Sequence, residues 1–224
     1  MLAGDHGVLP AQQAALARLA MTVTAEPWAL TRDIVEDVAA EGVDPDALKA
    51  AAGVVALFNY FTRVADATGI EFDYTSPLPA FEPDSCRVPA PRPSREAWPV
   101  AERRDFVRRP RLLGAWRRWR EHVLGSPVPL DRRERWLLAA VAAEECCDAA
   151  GVAALAGESP DGPAEEQLVA FARRLSRQPW AMGPDDLEGL RAAGYPELAL
   201  LHAISVVAFQ NADSRLALML RFVD

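Results

Sequence analysis

The chain has 224 residues, of which half are hydrophobic, a quarter are charged and 8% are aromatic, and its formal net charge is −8. This composition is typical of a globular protein with a buried core and excludes an intrinsically disordered chain. The negative charge disfavours nucleic acid and anionic membranes as main partners. No apolar run reaches the roughly 18–20 residues of a membrane span. The first residues lack a signal-peptide pattern, and three cysteines are too few for a disulfide scaffold. We therefore expect a cytoplasmic protein.

An internal repeat is the clearest pattern in the sequence. Residues 27–63 align without a gap onto residues 179–215, at a constant offset of 152 positions. Fifteen of the 37 aligned positions are identical, which is hard to obtain by chance. We interpret the match as an internal duplication.

Each copy reads as a short helix, a glycine stop and a long helix. In the first copy the short helix follows Thr31, a preferred N-cap residue, and ends near Gly42, and a long helix begins at Asp44 and Pro45. In the second copy Gly183 and Pro184 begin the short helix, which ends near Gly194. Its long helix, residues 198–223, is apolar nearly all round, which predicts deep burial. No segment alternates as a strand does, so the predicted fold class is all-α.

A proline-rich segment separates the copies. Residues 76–99 contain seven prolines in 24 positions, which excludes a helix or a central strand and predicts an extended linker. Two further helices should follow it, one amphipathic and one running from about Asp131 towards Leu155. Their counterparts at the offset of 152 would precede residue 1. We therefore expect a partial first repeat over residues 1–75, the linker, and a full second repeat over residues 100–224.

Arginine is concentrated around the first of these helices. Residues 92–135 hold 13 arginines and six acidic residues, a net charge of +7, and arginine supplies 23 of the 24 basic residues of the chain. Such a preference for arginine is typical of GC-rich bacterial coding. The cluster indicates either a surface for nucleic acid or an acidic partner, or arginines that pair with the chain's own acidic groups. We favour the second interpretation, because no DNA-binding motif accompanies the arginines.

The segment from Val54 to Gly69 reads VVALFNYFTRVADATG. It resembles the alkylhydroperoxidase D-like (carboxymuconolactone decarboxylase-like) superfamily, in particular its peroxidase-related members. The resemblance covers roughly residues 10–75 and 103–220. It implies an all-helical bundle that assembles as a homo-oligomer, with active sites near the subunit interfaces.

The same resemblance points to a catalytic motif that is only partly present. The family has a glutamate and, twelve residues later, Cys-x-x-Cys-x-x-x-His; Glu134 and Cys146 match, but Ala149 and Ala153 replace the second cysteine and the histidine. Cys147 could serve as the resolving thiol, although adjacent cysteines must close a strained ring. The acidic neighbours of the two thiols should raise their pKa. The alternative is that both cysteines pack as small apolar residues.

Glu134 also has a purely structural interpretation. Asp131 and Glu134 have the spacing of a capping box, which satisfies the first N–H groups of a helix. Twelve residues of unbroken helix span about 18 Å, too far for Glu134 to touch Cys146.

Five further residues are candidates for ligand binding. Asn59 and Arg63, like Asn211 and Arg215, are four residues apart and so share one helix face. They could hold an anionic ligand, or they could satisfy buried polar groups at the interface of the repeats. His202 could act as a base in such a pocket or be a hydrogen-bonded core residue.

Three functional hypotheses follow. The first is a repurposed small-molecule enzyme or ligand binder without the dithiol cycle. The second is a residual thiol oxidoreductase that uses Cys146 with Cys147. The third is a non-catalytic partner subunit. We expect no metal site, no cofactor, and no nucleic-acid or membrane partner. The expected partners are a small-molecule ligand and either further copies of the chain or another helical chain.

Overall fold

The computed structural model describes residues 9–70, 90–99, 109–155 and 159–223. All the regular secondary structure in these ranges is helical, which confirms the predicted all-α class. The helices are α1 (Ala11–Ala25), α2 (Arg32–Ala40), α3 (Pro45–Thr68), α4 (Pro110–Gly125), α5 (Arg132–Glu145), α6 (Ala149–Ala154), α7 (Pro163–Arg177), α8 (Pro184–Ala192) and α9 (Glu197–Leu220). Short 3-10 turns occupy Pro27–Ala29, Arg95–Ala97 and Pro179–Ala181.

The predicted N-caps and glycine stops of the two copies are confirmed. The Thr31 side chain accepts a hydrogen bond from the backbone N–H of Ile34 at 3.4 Å, at the start of α2. Asp44 caps α3 by accepting from the N–H of Ala47 at 2.8 Å. The chain turns after α2 and α8 at Gly42 and Gly194, whose φ angles of +86° and +95° are left-handed. Glycine adopts this conformation without a steric penalty, which explains why both helices end there.

The helices on the two sides of α4–α6 have matching positions in the chain. Helices α7, α8 and α9 begin and end 152 residues after α1, α2 and α3, and the turn Pro179–Ala181 follows Pro27–Ala29 by the same offset. The sequence offset thus extends to α1 and α7, which lie outside the 37 aligned residues.

The core is centred on α9. In the described part of the chain, the most extensive packing between two helices joins α3 and α9. Helices α5 and α7 also pack against α9. From Ala203 to Leu220 nearly every side chain of α9 is buried, which confirms the predicted burial of this helix. The predicted end at Val223 is three residues beyond the observed end.

One helix prediction is wrong. The helix expected from about Asp131 to Leu155 is broken into α5 and α6 at Cys146, Cys147 and Asp148. Cys147 has a φ of +56°, and Asp148 caps α6 by accepting a hydrogen bond from the N–H of Gly151 at 2.8 Å. The buried Ser214 hydroxyl donates to the same Asp148 carboxylate at 2.8 Å. This contact with α9 stabilises the break. No glycine or proline in the sequence at Cys146, Cys147 or Asp148 predicts it.

Part of the predicted linker is described. Residues 90–99 contain the turn Arg95–Ala97 and otherwise no regular structure, whereas residues 76–89 lie outside the described residues. In the ranges that the structure covers, no single helix has both the length and the hydropathy of a membrane span. Helices α8 and α9 satisfy those two criteria only when they are taken together, and the chain bends by 119° between them.

Candidate functional site

Cys146 and Cys147 lie at the break between α5 and α6. The backbone N–H of Cys146 continues the hydrogen bonding of α5 by donating to the carbonyls of Ala142 and Ala143. Both cysteines are fully buried and neither forms a disulfide. The break places the two thiols in different surroundings.

The thiol of Cys146 faces two polar side chains of α9. Arg215 donates from Nη1 to the Cys146 sulfur at 3.0 Å, and the thiol donates to Oδ1 of Asn211 at 3.6 Å. Arg215 also donates to Oδ1 and to the carbonyl of Asn211, at 2.7 and 3.1 Å. The structure thus brings together three of the predicted site residues, from two helices far apart in sequence.

This cluster continues to α3. Arg63 donates from Nη1 to Oδ1 of Asn59 at 2.8 Å, as Arg215 does to Asn211. Asn59 donates to the hydroxyl of Thr24 at 3.0 Å, and Asn211 donates to the hydroxyl of Ser176 at 2.8 Å. We call Asn59, Arg63, Cys146, Asn211 and Arg215 the buried cluster.

The two arginines of the buried cluster cross between the halves of the fold. Nη2 of Arg63 donates to the carbonyl of Ser176 at the end of α7, at 3.2 Å. Nη2 of Arg215 donates to the carbonyl of Thr24 at the end of α1, at 3.0 Å. Thr24 and Ser176 are themselves 152 positions apart. These hydrogen bonds therefore link α3 to α7 and α9 to α1.

The charges in the buried cluster are unbalanced. Burial, together with the neighbouring Arg215, lowers the pKa of Arg63 to about 9. The Nε of Arg63 is buried and has no hydrogen-bond partner among the described residues. Burial raises the pKa of the Cys146 thiol; Arg215 and Arg63 act in the opposite direction, and Asp148 adds to the rise. The thiol is therefore protonated near neutral pH, whereas a reactive cysteine needs a stabilised thiolate.

Cys147 contacts a different arginine. Burial also raises its pKa, and a hydrogen bond with the Arg92 side chain opposes that rise. Arg92 in turn donates to the carbonyl of Glu144 at 2.6 Å and pairs with Glu145 at 3.1 Å. Glu145 is buried and pairs with Arg173 and Arg177 as well. This set of ion pairs holds residues 90–99 against the end of α5.

Glu134 lies at the other end of α5. It completes the predicted capping box: its carboxylate accepts from the N–H of Asp131, and its own N–H donates to the Asp131 carboxylate, both at 2.8 Å. Glu134 also hydrogen-bonds to Tyr195, whose pKa is raised by burial first and then by this carboxylate. Helix α5 is unbroken from Glu134 to Glu145, so Glu134 is about 18 Å from Cys146 along the helix axis. The structure does not bring these two candidates together.

His202 is half-buried on α9 and belongs to neither group. Its Nδ1 lies 2.9 Å from Nη2 of Arg135, a fully buried arginine that also donates to the carbonyls of Val123, Val128 and Leu130. Burial lowers the pKa of His202, and the Arg135 and His122 charges lower it further. His202 is therefore a neutral hydrogen-bond acceptor for Arg135 at neutral pH.

A cleft between α4, α5 and α6 was not identified from the sequence. It has a volume of about 440 Å³. Its lining includes the side chains of Arg117, Arg120, Glu121, Leu124, Arg132, Trp136 and Leu155. The only signal for it in the sequence is the excess of arginine over residues 92–135. We call this the arginine cleft.

Arg117 and Arg120 have no ion-pair or hydrogen-bond partner in the described ranges. The guanidinium of Arg132 stacks on the ring of Trp136, 4.3 Å from its centre. Other arginines of the same region do have partners: Arg92 pairs with Glu145, and Arg133 pairs with Glu165 at 2.9 Å. The interpretation that the arginines pair with the chain's own acids thus holds for some of them and not for those in the cleft.

The described residues contain no group of three or more histidine, cysteine or acidic side chains that could hold a metal ion. Comparisons with protein-family models, with curated proteins and with solved structures find no match to this chain.

Proposed function

We propose that the chain consists of one and a half copies of a helical unit of the alkylhydroperoxidase D-like superfamily. The common offset of α1–α3 and α7–α9 supports the duplication. So do the equivalent hydrogen bonds of Asn59 with Arg63 and of Asn211 with Arg215. Helices α4–α6 would then be the front half of the second copy.

Within this superfamily the chain would act as a small-molecule binder or a repurposed enzyme, without the dithiol cycle. The arginine cleft is the observation that carries this proposal. Its volume of about 440 Å³ lies in the usual range of small-molecule sites. The positions of the second cysteine and the histidine of the family motif are alanines, Ala149 and Ala153. Cys146 is sealed in the buried cluster and does not line the cleft.

A fragment screen tests this function without assuming a ligand class. Wild-type protein is screened by ligand-observed NMR against neutral, anionic and cationic fragments. Ala154 lines the cleft, so Ala154→Trp should fill it and abolish binding of the hits. The neighbouring Ala153 does not line the cleft, and Ala153→Trp should leave binding unchanged. A screen without hits, or hits that survive Ala154→Trp, would contradict the proposal.

A residual thiol oxidoreductase is a second candidate, favoured by the 3.0 Å contact between Arg215 and the Cys146 sulfur. A Cys146 thiolate would attack the peroxide oxygen, giving a sulfenic acid and releasing hydroxide or alkoxide. The Cys147 thiol would then form a disulfide with loss of water, and an external dithiol would reduce that disulfide. Peroxide consumption in the presence of a dithiol should disappear in Cys146→Ser. Equal rates in wild type and variant would exclude this chemistry.

An assembly surface is a further proposal, supported by an exposed apolar face of α3. Its side chains recur at helical spacing and are 39–62% exposed: Val54, Leu57, Phe58 and Phe61. The α9 residues 152 positions later are at most 1% exposed: Val206, Phe209, Gln210 and Asp213. Helix α4 covers part of this face of α9: the Trp116 ring lies against that of Phe209, and its Nε1 donates to Oδ1 of Asp213. The same face of α3 therefore has the shape of a helix-binding surface.

The occupant that we propose for this face is a second copy of the chain. No charged residue lies between Lys49 and Arg63, so two copies that each carry −8 could approach here without direct repulsion. Light scattering after gel filtration should show a dimer for wild type and a monomer for Phe58→Glu with Phe61→Glu. The control is Leu198→Glu with Leu201→Glu, an equally spaced and exposed apolar pair on α9. A monomeric wild type, or the same effect of the α3 and the α9 double variants, would contradict the proposed dimer.

A further inference from the structure

The arginine cleft carries more positive charge than the described residues around it neutralise. Among the described residues, three guanidinium groups and one carboxylate, that of Glu121, line it. Several other arginines in the described ranges do pair with carboxylates or backbone carbonyls, as Arg133 does with Glu165 and Arg135 with three carbonyls. Two cations that have no partner within the described ranges and lie beside an apolar surface are the complement of an anion that also has an apolar part.

We propose that the cleft binds a small amphipathic anion, with a carboxylate or phosphate head and an aromatic or aliphatic body. This inference rests on the proposed ligand-binding function and specifies its ligand class. The head contacts Arg117, Arg120 and Arg132. The body lies on the apolar side of the cleft.

The positions of the arginines on α4 suit a shared anionic head. Arg117 and Arg120 are three residues apart and therefore project from the same face of the helix. Leu124 follows Arg120 by four residues and is buried on that face. One face of α4 thus supplies both charged groups for the head and an apolar contact for the body.

Arg132 approaches the same space from the start of α5. The contact with the Trp136 ring restricts the position of its guanidinium group, and no hydrogen-bond partner among the described residues occupies its N–H groups. Guanidinium groups that stack on an aromatic ring bind carboxylate and phosphate through the N–H groups at the edge of the guanidinium plane. Arg132 therefore gives the head a third, oriented donor.

The apolar lining of the cleft limits the size and the chemical nature of the ligand. The side chains of Leu124 and Leu155 are buried, 6% and 1% exposed, and form its floor together with Trp136. A fully hydrated inorganic ion would leave this surface uncovered, whereas a single aromatic ring would cover it. Glu121 reduces the local charge and disfavours heads of high negative charge. The arrangement thus favours a small anion with one ring or a short chain.

Calorimetric titrations of the full chain test this class with five probes. Benzoate and phenyl phosphate represent the two anionic heads on the same ring. Inorganic phosphate lacks the apolar body, benzyl alcohol is the neutral counterpart and benzylamine the cationic one. We expect binding of benzoate, phenyl phosphate or both, with the stronger of the two identifying the head. Inorganic phosphate, benzyl alcohol and benzylamine should bind at least about tenfold more weakly.

A matched pair of double variants locates the binding. Arg117→Met with Arg120→Met should weaken binding of the aromatic anion by about tenfold or more, because it removes two charged donors. Arg111→Met with Arg118→Met removes the same charge from α4 outside the cleft lining and should change binding by less than about twofold. Circular dichroism melting curves check that all variants fold.

Different binding results would contradict the ligand class and the ligand-binding function. Binding of benzyl alcohol as tight as that of benzoate, lost in Ala154→Trp, would overturn the anion class and leave the ligand-binding function standing. Equal weakening by both pairs of arginine variants would also overturn the assigned head contacts. If inorganic phosphate bound as tightly as phenyl phosphate, the proposed contact between the cleft and an apolar body of the ligand would be wrong. Absence of binding by any probe or fragment would overturn both proposals.

Discussion

At the scale of single residues, Cys146 shows how two opposite effects act on one thiol. Removal from water disfavours the thiolate, and the guanidinium groups of Arg215 and Arg63 favour it. Burial is the larger effect, so the pKa is raised although an arginine lies 3.0 Å from the sulfur. The proximity of a cation is thus insufficient to make this thiol a strong nucleophile.

The labelling kinetics of the two thiols follow from their raised pKa values. Cys146 and Cys147 should react with iodoacetamide far more slowly in the native protein than in denaturant, because both are buried and protonated near neutral pH. The native rate should still be rising with pH above about 8.5, the pKa of an unperturbed thiol. Site-resolved mass spectrometry of quenched samples measures both rates. The variants Cys146→Ser and Cys147→Ser show which rate belongs to which thiol. A plateau below that pH would show an activated thiolate.

At the scale of elements, the break between α5 and α6 separates the two thiols. It combines a left-handed Cys147, an N-cap by Asp148 and a hydrogen bond from Ser214 of α9. A left-handed conformation is unfavourable for any residue with a Cβ atom. The capping contacts of Asp148 must therefore offset the strain at Cys147.

Replacing Cys147 by glycine and by alanine isolates this strain. Both changes remove the thiol and its contact with Arg92, but only glycine adopts the φ of +56° without a steric penalty. The glycine variant should therefore be more stable than the alanine variant by about 1 kcal/mol in urea unfolding. As a control within α6, Ala150→Gly should lower the free energy of unfolding by about 1 kcal/mol. Greater stability of the alanine variant would contradict the role of the left-handed turn.

At the scale of the whole molecule, the buried cluster ties the two sets of matching helices together. Arg63 reaches the carbonyl of Ser176 at the end of α7, and Arg215 reaches that of Thr24 at the end of α1. Together with the contact between α3 and α9, these bonds connect helices from both ends of the chain. We therefore expect the described helices to unfold in one cooperative transition.

Variants of the two arginines should differ in their effect on stability. Arg215→Met should lower the free energy of unfolding by about 3 kcal/mol, since Asn211, Thr24 and Cys146 lose a charged donor. Arg63→Met should have a smaller effect, because burial of Arg63 already lowers its pKa to about 9 and leaves its Nε without a partner. Circular dichroism and tryptophan fluorescence during urea unfolding measure both changes.

The exposed Arg111 provides the control for these variants. Arg111→Met should change the free energy of unfolding by less than about 0.5 kcal/mol. An Arg63→Met variant less stable than Arg215→Met would contradict the expected order. Separate transitions for the two probes would contradict cooperative unfolding.

The sequence predicted the helices well and the site only in part. Thr31, Asp44 and Asp131 cap helices as expected, because a cap depends on residues three or four positions away in the chain. The pairs of asparagine and arginine were correctly placed on single helix faces for the same reason. The break after Cys146 was missed, since a hydrogen bond from Ser214, 66 residues later, supports it.

By itself, the sequence determined the all-α class, the caps of α2, α3 and α5 and the offset of 152 residues, all of which depend on periodicity and on contacts along one helix. Only the tertiary structure decided that Arg215 contacts Cys146, that Glu134 lies far from it, and that Arg117, Arg120 and Arg132 surround one cleft. The pKa of a thiol and the shape of a cleft depend on groups distant in the chain, and the packing of the helices sets the distances between those groups.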